Sequence, residues 1–254
     1  MIVISPAKKM NCKSSGQYFT EYTEPLFFKK TIRLIESLRS LERKEIQTLM
    51  KISEKLSFLN FDRYKTFSYN QNFENSKQSI FAFLGDTYKG LKVSEFSKDD
   101  LKYSQKRLRI LSGLYGLLRP LDLIQEHRLE MGTSNFSNLD QNLYSFWSGT
   151  LTNQINKEIL LNKSTFLINL ASNEYFKVIN SNQINCRILT PMFFSKKDGK
   201  ILNIGILSKK ARGMMTSYLL KNKYDSIEQI KKFSDDGYKY DSIDSEKNYI
   251  NFIK

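Results

Sequence analysis

The sequence has few of the residues that build metal and disulfide sites. Among its 254 residues are one histidine, His127, and two cysteines, Cys12 and Cys186. Two cysteines without a C-x-x-C pair exclude a disulfide framework and argue against structural zinc. A catalytic triad or a histidine-rich metal site would have to be built around His127 alone. We therefore predict neither a metal ion nor a cofactor.

Long apolar runs are also absent. The first ten residues, MIVISPAKKM, contain an apolar run too short for a signal peptide, and no stretch of about 18 apolar residues occurs. Core-forming residues are nevertheless plentiful, because 40% of the chain is hydrophobic and it contains 18 Phe and 14 Tyr. This composition is typical of a globular protein. We expect a reduced, cytoplasmic protein with no membrane partner.

The sequence has a large excess of positively charged residues. Forty Lys and Arg residues oppose 26 Asp and Glu residues, which gives a formal net charge of +14. Such an excess favours a polyanionic partner.

Apolar patterning predicts a mixture of strands and helices. Short apolar runs at 2–4, 165–170, 186–194 and 200–207 are typical of strands, and 79–84 fits a strand or a buried turn. Helical periodicity covers 25–39, 42–52, 54–67, 97–112, 151–159 and 226–233, and a further helix opens at Ser208. These elements predict one α/β or α+β domain over residues 1–254, with a mixed central sheet and surrounding helices.

The segment 97–122 predicts a helical hairpin. Ser97 and Asp100 have the spacing of a capping box, and Gly113 is placed to end the helix. A turn to Gly116 and a second apolar stretch then suggest a helix-hairpin-helix, whose glycines would let backbone N–H groups approach DNA phosphates. The alternative is an ordinary amphipathic helix with a glycine cap.

One face of that helix is basic. Successive residues of a helix are separated by about 100°, so the cations of this segment form one ridge. The ridge consists of Lys98, Lys102, Lys106 and Arg109. We predict DNA contacts from it, from Gly113 and Gly116, and from Arg119; solvated lysines are the alternative.

Small polar and charged residues follow three of the predicted strands. The three sets are Ser5 and Lys8; Asn169, Ser172, Glu174 and Lys177; and Lys209, Lys210 and Arg212. Ligands bind beyond the carboxyl ends of strands in sheets with helical crossovers. If the strands are parallel and adjacent, the three sets converge on one cleft.

Each set allows a functional and a structural interpretation. Glu174 and Lys177 would exchange protons in a cleft, or form an i,i+3 surface pair. Ser172 fits a helix N-cap, whereas Asn169 interrupts an apolar strand and needs a polar partner. The cations at 209–212 would bind phosphate at a helix start, or be solvated.

Two further charges alternate with apolar residues. Arg128 and Glu130 flank Leu129, so an extended segment places both on one face. They would pair with each other or point into a site, Glu130 as a catalytic group and Arg128 as an anion ligand.

Six segments of the chain resemble the bacterial YaaA family of peroxide-stress proteins. In order they are ISPAKKM, FLGDTYKGL, LRILSGLYGLLRPLDLIQEHRLEMG, LYSFW, INLASNEYFK and KKARGMM. The resemblance extends from Ile2 to about Tyr240. It implies an α/β fold with a helix-hairpin-helix and a basic cleft that would draw on Lys8, Arg128, Lys209 and Arg212.

The resemblance also implies a function. Members of this family are described as binding DNA and lowering free intracellular iron during hydrogen peroxide stress, which limits DNA damage. The alternative is an enzyme acting on a nucleotide, nucleobase or nucleic acid through the strand-end residues Ser5, Lys8, Glu130, Asn169, Ser172, Glu174 and Lys177. Its phosphate-bearing substrate would be steered by the basic surface.

Overall fold

A mixed eight-stranded sheet forms the centre of the computed structural model, which describes residues 1–12, 19–133 and 142–254. The described strands are β1 (Ile2–Ile4), β2 (Lys9–Met10), β3 (Lys77–Gln78), β4 (Phe83–Leu84), β5 (Leu108–Ser112), β6 (Gly116–Leu118), β7 (Leu123–Ile124), β8 (Phe166–Leu170), β9 (Arg187–Lys197), β10 (Lys200–Leu202), β11 (Lys239–Asp244) and β12 (Tyr249–Ile253).

Helices surround this sheet. The described α-helices are α1 (Phe28–Arg39), α2 (Arg43–Met50), α3 (Glu54–Lys65), α4 (Ser79–Ala82), α5 (Asp86–Leu91), α6 (Lys98–Arg107), α7 (Leu143–Leu161), α8 (Asn173–Phe176), α9 (Gly205–Lys221) and α10 (Ile227–Lys231). None of the helices in these ranges combines the length and the apolarity needed to cross a membrane.

Strand β1 occupies the middle of the sheet, whose order is β11-β12-β9-β8-β1-β5-β6, with β10 paired to β9. It runs parallel to both neighbours, and Ile2 lies opposite Leu108 of β5 and Ile168 of β8. The pairs β8–β9 and β9–β12 are also parallel, whereas β6, β10 and β11 are antiparallel additions. All three β1 residues are buried, as expected for a parallel strand covered on both faces.

The predicted mixture of strands and helices around a mixed sheet is confirmed. Strands occupy Ile2–Ile4 and Phe166–Leu170, and the helices α1, α2 and α3 lie within the ranges predicted for them. Two of the predicted apolar runs are partly helical. The run 79–84 is a helical turn followed by β4, and β10 ends at Leu202, after which α9 begins at Gly205. Apolar runs of this length do not distinguish strand from helix by periodicity.

The predicted helix-hairpin-helix is wrong in its second half. Ser97 caps α6 through a capping box with Asp100, as expected, but α6 ends at Arg107. The following residues form β5 and then β6, which pair antiparallel as a β-hairpin. Pairing with β1 in the middle of the sheet overrides the helical spacing of Leu108 and Leu111.

The two glycines of that hairpin contact protein rather than a free surface. A Cβ on Gly113 would lie 2.3 Å from the carbonyl oxygen of Leu129, and one on Gly116 would lie 2.7 Å from the Trp147 ring. Gly116 also has a φ of +73°, which L side chains rarely adopt. Both glycines are buried, so this turn is not open to phosphates.

Helices α5 and α9 cross with their backbones in close contact. A Cβ on Gly213 would lie 1.8 Å from the carbonyl oxygen of Thr87, and one on Gly90 would lie 2.1 Å from that of Lys210. Only glycine allows this approach. The crossing fixes α9 against α5 and thereby positions Arg212, one residue before Gly213.

Candidate functional site

A cleft of about 530 Å³ lies beside the carboxyl end of β8. We call it the Arg212 cleft. Its lining residues come from the segment that runs from β8 through α8 into β9, from α9, and from the turn between β11 and β12 with the first residue of β12. They are Asn169, Ala171, Asn173, Phe176, Ser181, Cys186, Arg187, Ile188, Thr190, Met192, Arg212, Lys247, Asn248 and Tyr249. The fold thus brings together residues from three stretches of the chain, 169–192, Arg212 and 247–249.

Asn169 is held in place by its own strand and its neighbour. Its Oδ1 accepts a hydrogen bond from the backbone N–H of Ala171 at 3.0 Å, and its Nδ2 donates to Thr190 Oγ1 at 3.4 Å. The polar partner that its buried position required is therefore found. The second amide hydrogen of Nδ2 has no acceptor in the described chain and is available to a ligand.

Arg212 has no protein partner in the described ranges. Its guanidinium is half-buried in α9 and makes neither a hydrogen bond nor an ion pair there, although its carbonyl accepts from Thr216. Burial lowers the pKa of Arg212, and no nearby carboxylate opposes that effect. A partly buried guanidinium without a counter-charge is costly, and a bound anion would offset the cost.

The other charged residues of the cleft are also cationic. Arg187 donates from Nε to Asn248 Oδ1 at 2.6 Å, and Lys247 lies 3.8 Å from Asp244 in an exposed ion pair. No Asp or Glu belongs to the described lining. Sequence reasoning missed Arg187 and Lys247, because only the strand order shows that β9 lies beside β8 and that β12 lies beside β9.

A second, much smaller pocket lies beyond β1 and β5. Its cavity measures about 20 Å³, room for about one water molecule, between Lys8, Arg128, Glu130 and Tyr175. Glu130 accepts from Lys8 at 3.0 Å and from Arg128 at 2.9 Å. The pairing of Arg128 with Glu130 is confirmed. Neither Lys8 nor Arg128 lines the Arg212 cleft.

Ser5 and Ser172 join the ends of β1 and β8. Ser5 Oγ accepts from the backbone N–H of Ser172 at 2.9 Å and lies 3.2 Å from Ser172 Oγ. Ser172 occupies the N-cap position of α8, as predicted, but its hydroxyl makes no cap hydrogen bond and contacts Ser5 instead. Strands β1 and β8 are parallel and adjacent, which is the condition for these two sets to lie near each other.

Glu174 and Lys177 do not pair with each other. Glu174 Oε1 accepts from the backbone N–H of Gly132 at 3.3 Å, and Lys177 Nζ lies 5.4 Å from the centre of the Tyr144 ring. Neither interpretation of Glu174 and Lys177, as a proton-exchanging pair or as an i,i+3 surface pair, agrees with these contacts.

Two buried tyrosines, Tyr88 and Tyr175, lie beside Ser5 and Glu174, and the sequence analysis did not predict them. The Tyr88 hydroxyl donates to the carbonyl oxygen of Ser5 at 3.1 Å. Burial, with the carboxylates of Glu174 and Glu130, raises the pKa of Tyr175 well above its usual range. Both tyrosines therefore stay protonated at neutral pH and can act only as hydrogen-bond donors or acceptors.

The predicted basic ridge is only partly at the surface. Lys98, Lys102 and Lys106 are exposed, and Lys102 lies 3.5 Å from Glu21. Arg109 is wrongly placed by the helical prediction, because it belongs to β5, is 4% exposed and pairs with Glu158 at 2.5 Å.

Other predicted cations also have protein partners. Arg119 pairs with Asp122 at 2.8 Å, and Lys210 lies 3.7 Å from Asp236. Lys209 is exposed, and because α9 begins at Gly205, the cations at 209–212 follow its first turn rather than forming it. Of the three, only Arg212 lines the cleft.

The two cysteines are held as thiols. Burial raises the pKa of Cys186, which lines the Arg212 cleft, and burial with the nearby Glu126 raises the pKa of Cys12 to about 12. The thiolate is the reactive form, so neither side chain is primed for reaction with peroxide. Within the described ranges, no group of three or more His, Cys, Asp or Glu side chains is placed to hold a metal ion.

Comparison with known proteins places this sequence in one family. A family model described as "Peroxide stress protein YaaA" matches residues 1–244. A "UPF0246 protein" of Legionella pneumophila (strain Corby) is 42% identical over 255 residues, covering 100% of this chain and 99% of the relative. A "UPF0246 protein" of Hahella chejuensis (strain KCTC 2396) is 44% identical over 240 residues, covering 94% and 93%. The chain therefore belongs to the YaaA family of peroxide stress proteins.

Proposed function

We propose that this protein binds DNA during hydrogen peroxide stress and that the Arg212 cleft takes a phosphate of the nucleic acid. Family membership supports the stress role, and the net charge of +14 supports a polyanionic partner. The proposed outcome is less free intracellular iron and less oxidative DNA damage, as the resemblance implies.

One observation carries the DNA-binding part of the proposal. Arg212 is a half-buried cation with no hydrogen-bonding or ionic partner in the described chain, and it lies in a cleft whose other charged residues, Arg187 and Lys247, are also cationic. Phosphate oxygens match the planar guanidinium fork in charge and in geometry. The hairpin at 108–118 no longer supports DNA binding, since its glycines are buried.

A salt titration of DNA affinity tests this proposal. Each phosphate contact contributes about 0.9 to the slope of log affinity against log salt concentration. We expect Arg212→Met to weaken binding and to reduce the slope by about one contact. The matched control is Lys200→Met, which removes the same charge from the exposed strand β10, outside the cleft. Equal slopes for wild type and Arg212→Met would contradict the proposal.

The same salt titration also tests the basic ridge. Charge reversal of Lys98, Lys102 and Lys106 to Glu tests the exposed part of α6. If this variant loses affinity and Arg212→Met does not, the DNA surface is α6 and the cleft has another ligand.

A second candidate is an enzyme acting on a nucleotide, nucleobase or nucleic acid. It is favoured by the contact between Ser5 and Ser172 and by the placement of Glu130 and Glu174 near the Tyr175 hydroxyl. The test is the Glu174→Ala, Lys177→Ala double variant. An enzyme predicts normal DNA binding but failed protection of peroxide-challenged cells, whereas normal protection would remove this candidate.

A further inference from the structure

The size of the Arg212 cleft limits what it can hold. Small-molecule sites enclose roughly 300–1,000 Å³, and this cleft encloses about 530 Å³. Double-stranded DNA is instead bound over an extended protein surface of roughly 1,000–2,500 Å². The cleft therefore matches one nucleotide better than it matches a duplex.

The charges of the cleft indicate where a phosphate would lie. Arg212 has no protein partner in the described chain, and the Nε of Arg187 is bonded only to the neutral amide of Asn248. Both guanidiniums therefore keep donors for an anion, and no described lining residue would repel one.

The cleft also presents flat apolar surface. Phe176 and Tyr249 are half-buried in its wall, and neither ring packs against another aromatic ring in the described chain. Nucleobases stack on such rings with little dependence on sequence. An aromatic ring beside a phosphate-binding cation is the pairing of features that a nucleotide requires.

A polar group is available for the base or the sugar. The Asn169 side chain is oriented by Ala171 and Thr190 and keeps one amide hydrogen unused in the described chain. Its position at the end of β8 is rigid, because β8 pairs with β1 and β9 on its two sides.

We propose that the Arg212 cleft binds a single phosphorylated nucleotide, with the phosphate on Arg212 and the base against Tyr249. This proposal rests on the proposed function, because it names the part of a nucleic acid that the phosphate site receives. The nucleotide comes either from the free mononucleotide pool or from the unpaired, 5′-phosphorylated end of a DNA strand.

Calorimetric titration distinguishes these sources. The probes are the four 2′-deoxynucleoside 5′-monophosphates, the corresponding nucleosides, inorganic phosphate, and a single-stranded oligonucleotide with or without a 5′-phosphate. We expect the phosphorylated probes to bind and the nucleosides to bind at least tenfold more weakly. A free-nucleotide source predicts tight mononucleotide binding, whereas a strand-end source predicts that only the 5′-phosphorylated oligonucleotide binds tightly.

Two variants distinguish the contribution of the phosphate to binding from the contribution of the base. Arg212→Met should weaken the phosphorylated probes roughly 10- to 100-fold, as expected for a charge-assisted hydrogen bond. Tyr249→Leu keeps apolar bulk but removes the stacking face, and should weaken mononucleotides roughly tenfold while leaving inorganic phosphate unchanged. Lys200→Met is the charge-matched control, and the thermal unfolding midpoint of each variant shows that it is folded.

Several outcomes would overturn the inference. Inorganic phosphate binding as tightly as every nucleotide, or an unchanged nucleotide affinity in Tyr249→Leu, would show an anion site without base recognition. Absence of binding by all phosphorylated probes would reject the nucleotide outright. If duplex DNA still bound in that case and the binding depended on Arg212, the proposed function would stand. If the wild-type protein bound no DNA at all, the proposed function itself would be rejected.

Discussion

The β5–β6 hairpin and the Arg212 cleft each contain a buried or half-buried arginine, and the two arginines have opposite surroundings. Arg109 in β5 pairs with Glu158 and donates from Nη1 to the carbonyl oxygens of Gln105 and Leu108. Arg212 has no hydrogen-bonding or ionic partner in the described chain. Both residues lie in segments that resemble the family motifs.

The surroundings of the two arginines distinguish a structural charge from a charge that is free to bind a ligand. A buried cation matched by a carboxylate has its charge balanced by the fold itself. A partly buried cation without such a match is balanced only when an anion arrives. The structure gives Arg109 a structural role, and we propose a ligand-binding role for Arg212, although the sequence pattern predicts Arg109 on a DNA-binding surface.

The largest expected effect comes from breaking the Arg109–Glu158 pair. Arg109→Met leaves the buried Glu158 carboxylate, whose Oε2 has no other hydrogen-bond partner, without its cation. We expect a loss of about 3–5 kcal/mol in the free energy of unfolding, measured by urea denaturation. Arg212→Met should change it by less than about 1 kcal/mol.

A double variant sharpens this prediction. Arg109→Met combined with Glu158→Leu removes both charges and should recover most of the lost stability. A double variant less stable than Arg109→Met alone would show that packing, rather than charge, dominates at this position.

The crossing of α5 and α9 should be the next most sensitive feature. Gly213→Ala places a Cβ 1.8 Å from the carbonyl oxygen of Thr87, so the helices must separate. We expect a loss of about 3 kcal/mol and weaker ligand binding, because Arg212 moves with α9. The control is Gly149→Ala in α7, where the new Cβ meets nothing within 4 Å and stability should rise by up to about 1 kcal/mol. Equal effects of the two substitutions would contradict the packing argument.

The core beside the hairpin should respond to pH, since it contains His127. Burial lowers the pKa of His127 from 6.5 to about 4, and its ring stacks edge-on against Tyr115 in the hairpin turn. Between these pH values the unfolded chain binds the proton and the folded chain does not. The contribution of neutral His127 to the free energy of unfolding is therefore complete above pH 6.5 and decreases as the pH falls towards 4. At pH 5 this residue alone should lower the free energy of unfolding by about 2 kcal/mol.

Denaturation at pH 7.5 and 5.0 measures this effect. His127→Asn should lose stability at both pH values but show a smaller difference between them than the wild type. An equal difference would assign the pH dependence to other groups.

The smallest effect on stability is expected from the exposed face of α6. Within the residues that the structure describes, charge reversal of Lys98, Lys102 and Lys106 removes only one surface ion pair, between Lys102 and Glu21 at 3.5 Å. We expect the free energy of unfolding to change by less than about 1 kcal/mol in the same assay. A larger loss would show that this face packs against the rest of the protein.

The parts of the fold that local patterns specify were predictable. The apolar runs of β1 and β8 and the capping box at Ser97 and Asp100 are local signals, and each has the predicted structure. The segment 108–112 has equally good helical spacing, yet it forms β5 because β1 and β6 pair with it. A pattern within one segment does not contain that information.

The site was predictable to the same extent. Asn169 and Arg212 stand out as a polar residue in an apolar strand and a cation near a helix start, and both line the cleft. Arg187, Lys247 and Tyr249 have no local signal of this kind. They reach the cleft only because β12 lies beside β9 and β9 beside β8.

The central position of β1 has a consequence for synthesis of the chain. Ile2 pairs with Leu108 and Ile168, so β1 receives its two neighbours only after more than a hundred further residues have been made. At 5–20 residues per second, the ribosome takes roughly 5–20 s to reach β5 and longer to reach β8. Throughout that interval the Ile-Val-Ile segment is an apolar strand with both edges unpaired, and it is where we expect a chaperone to bind the nascent chain.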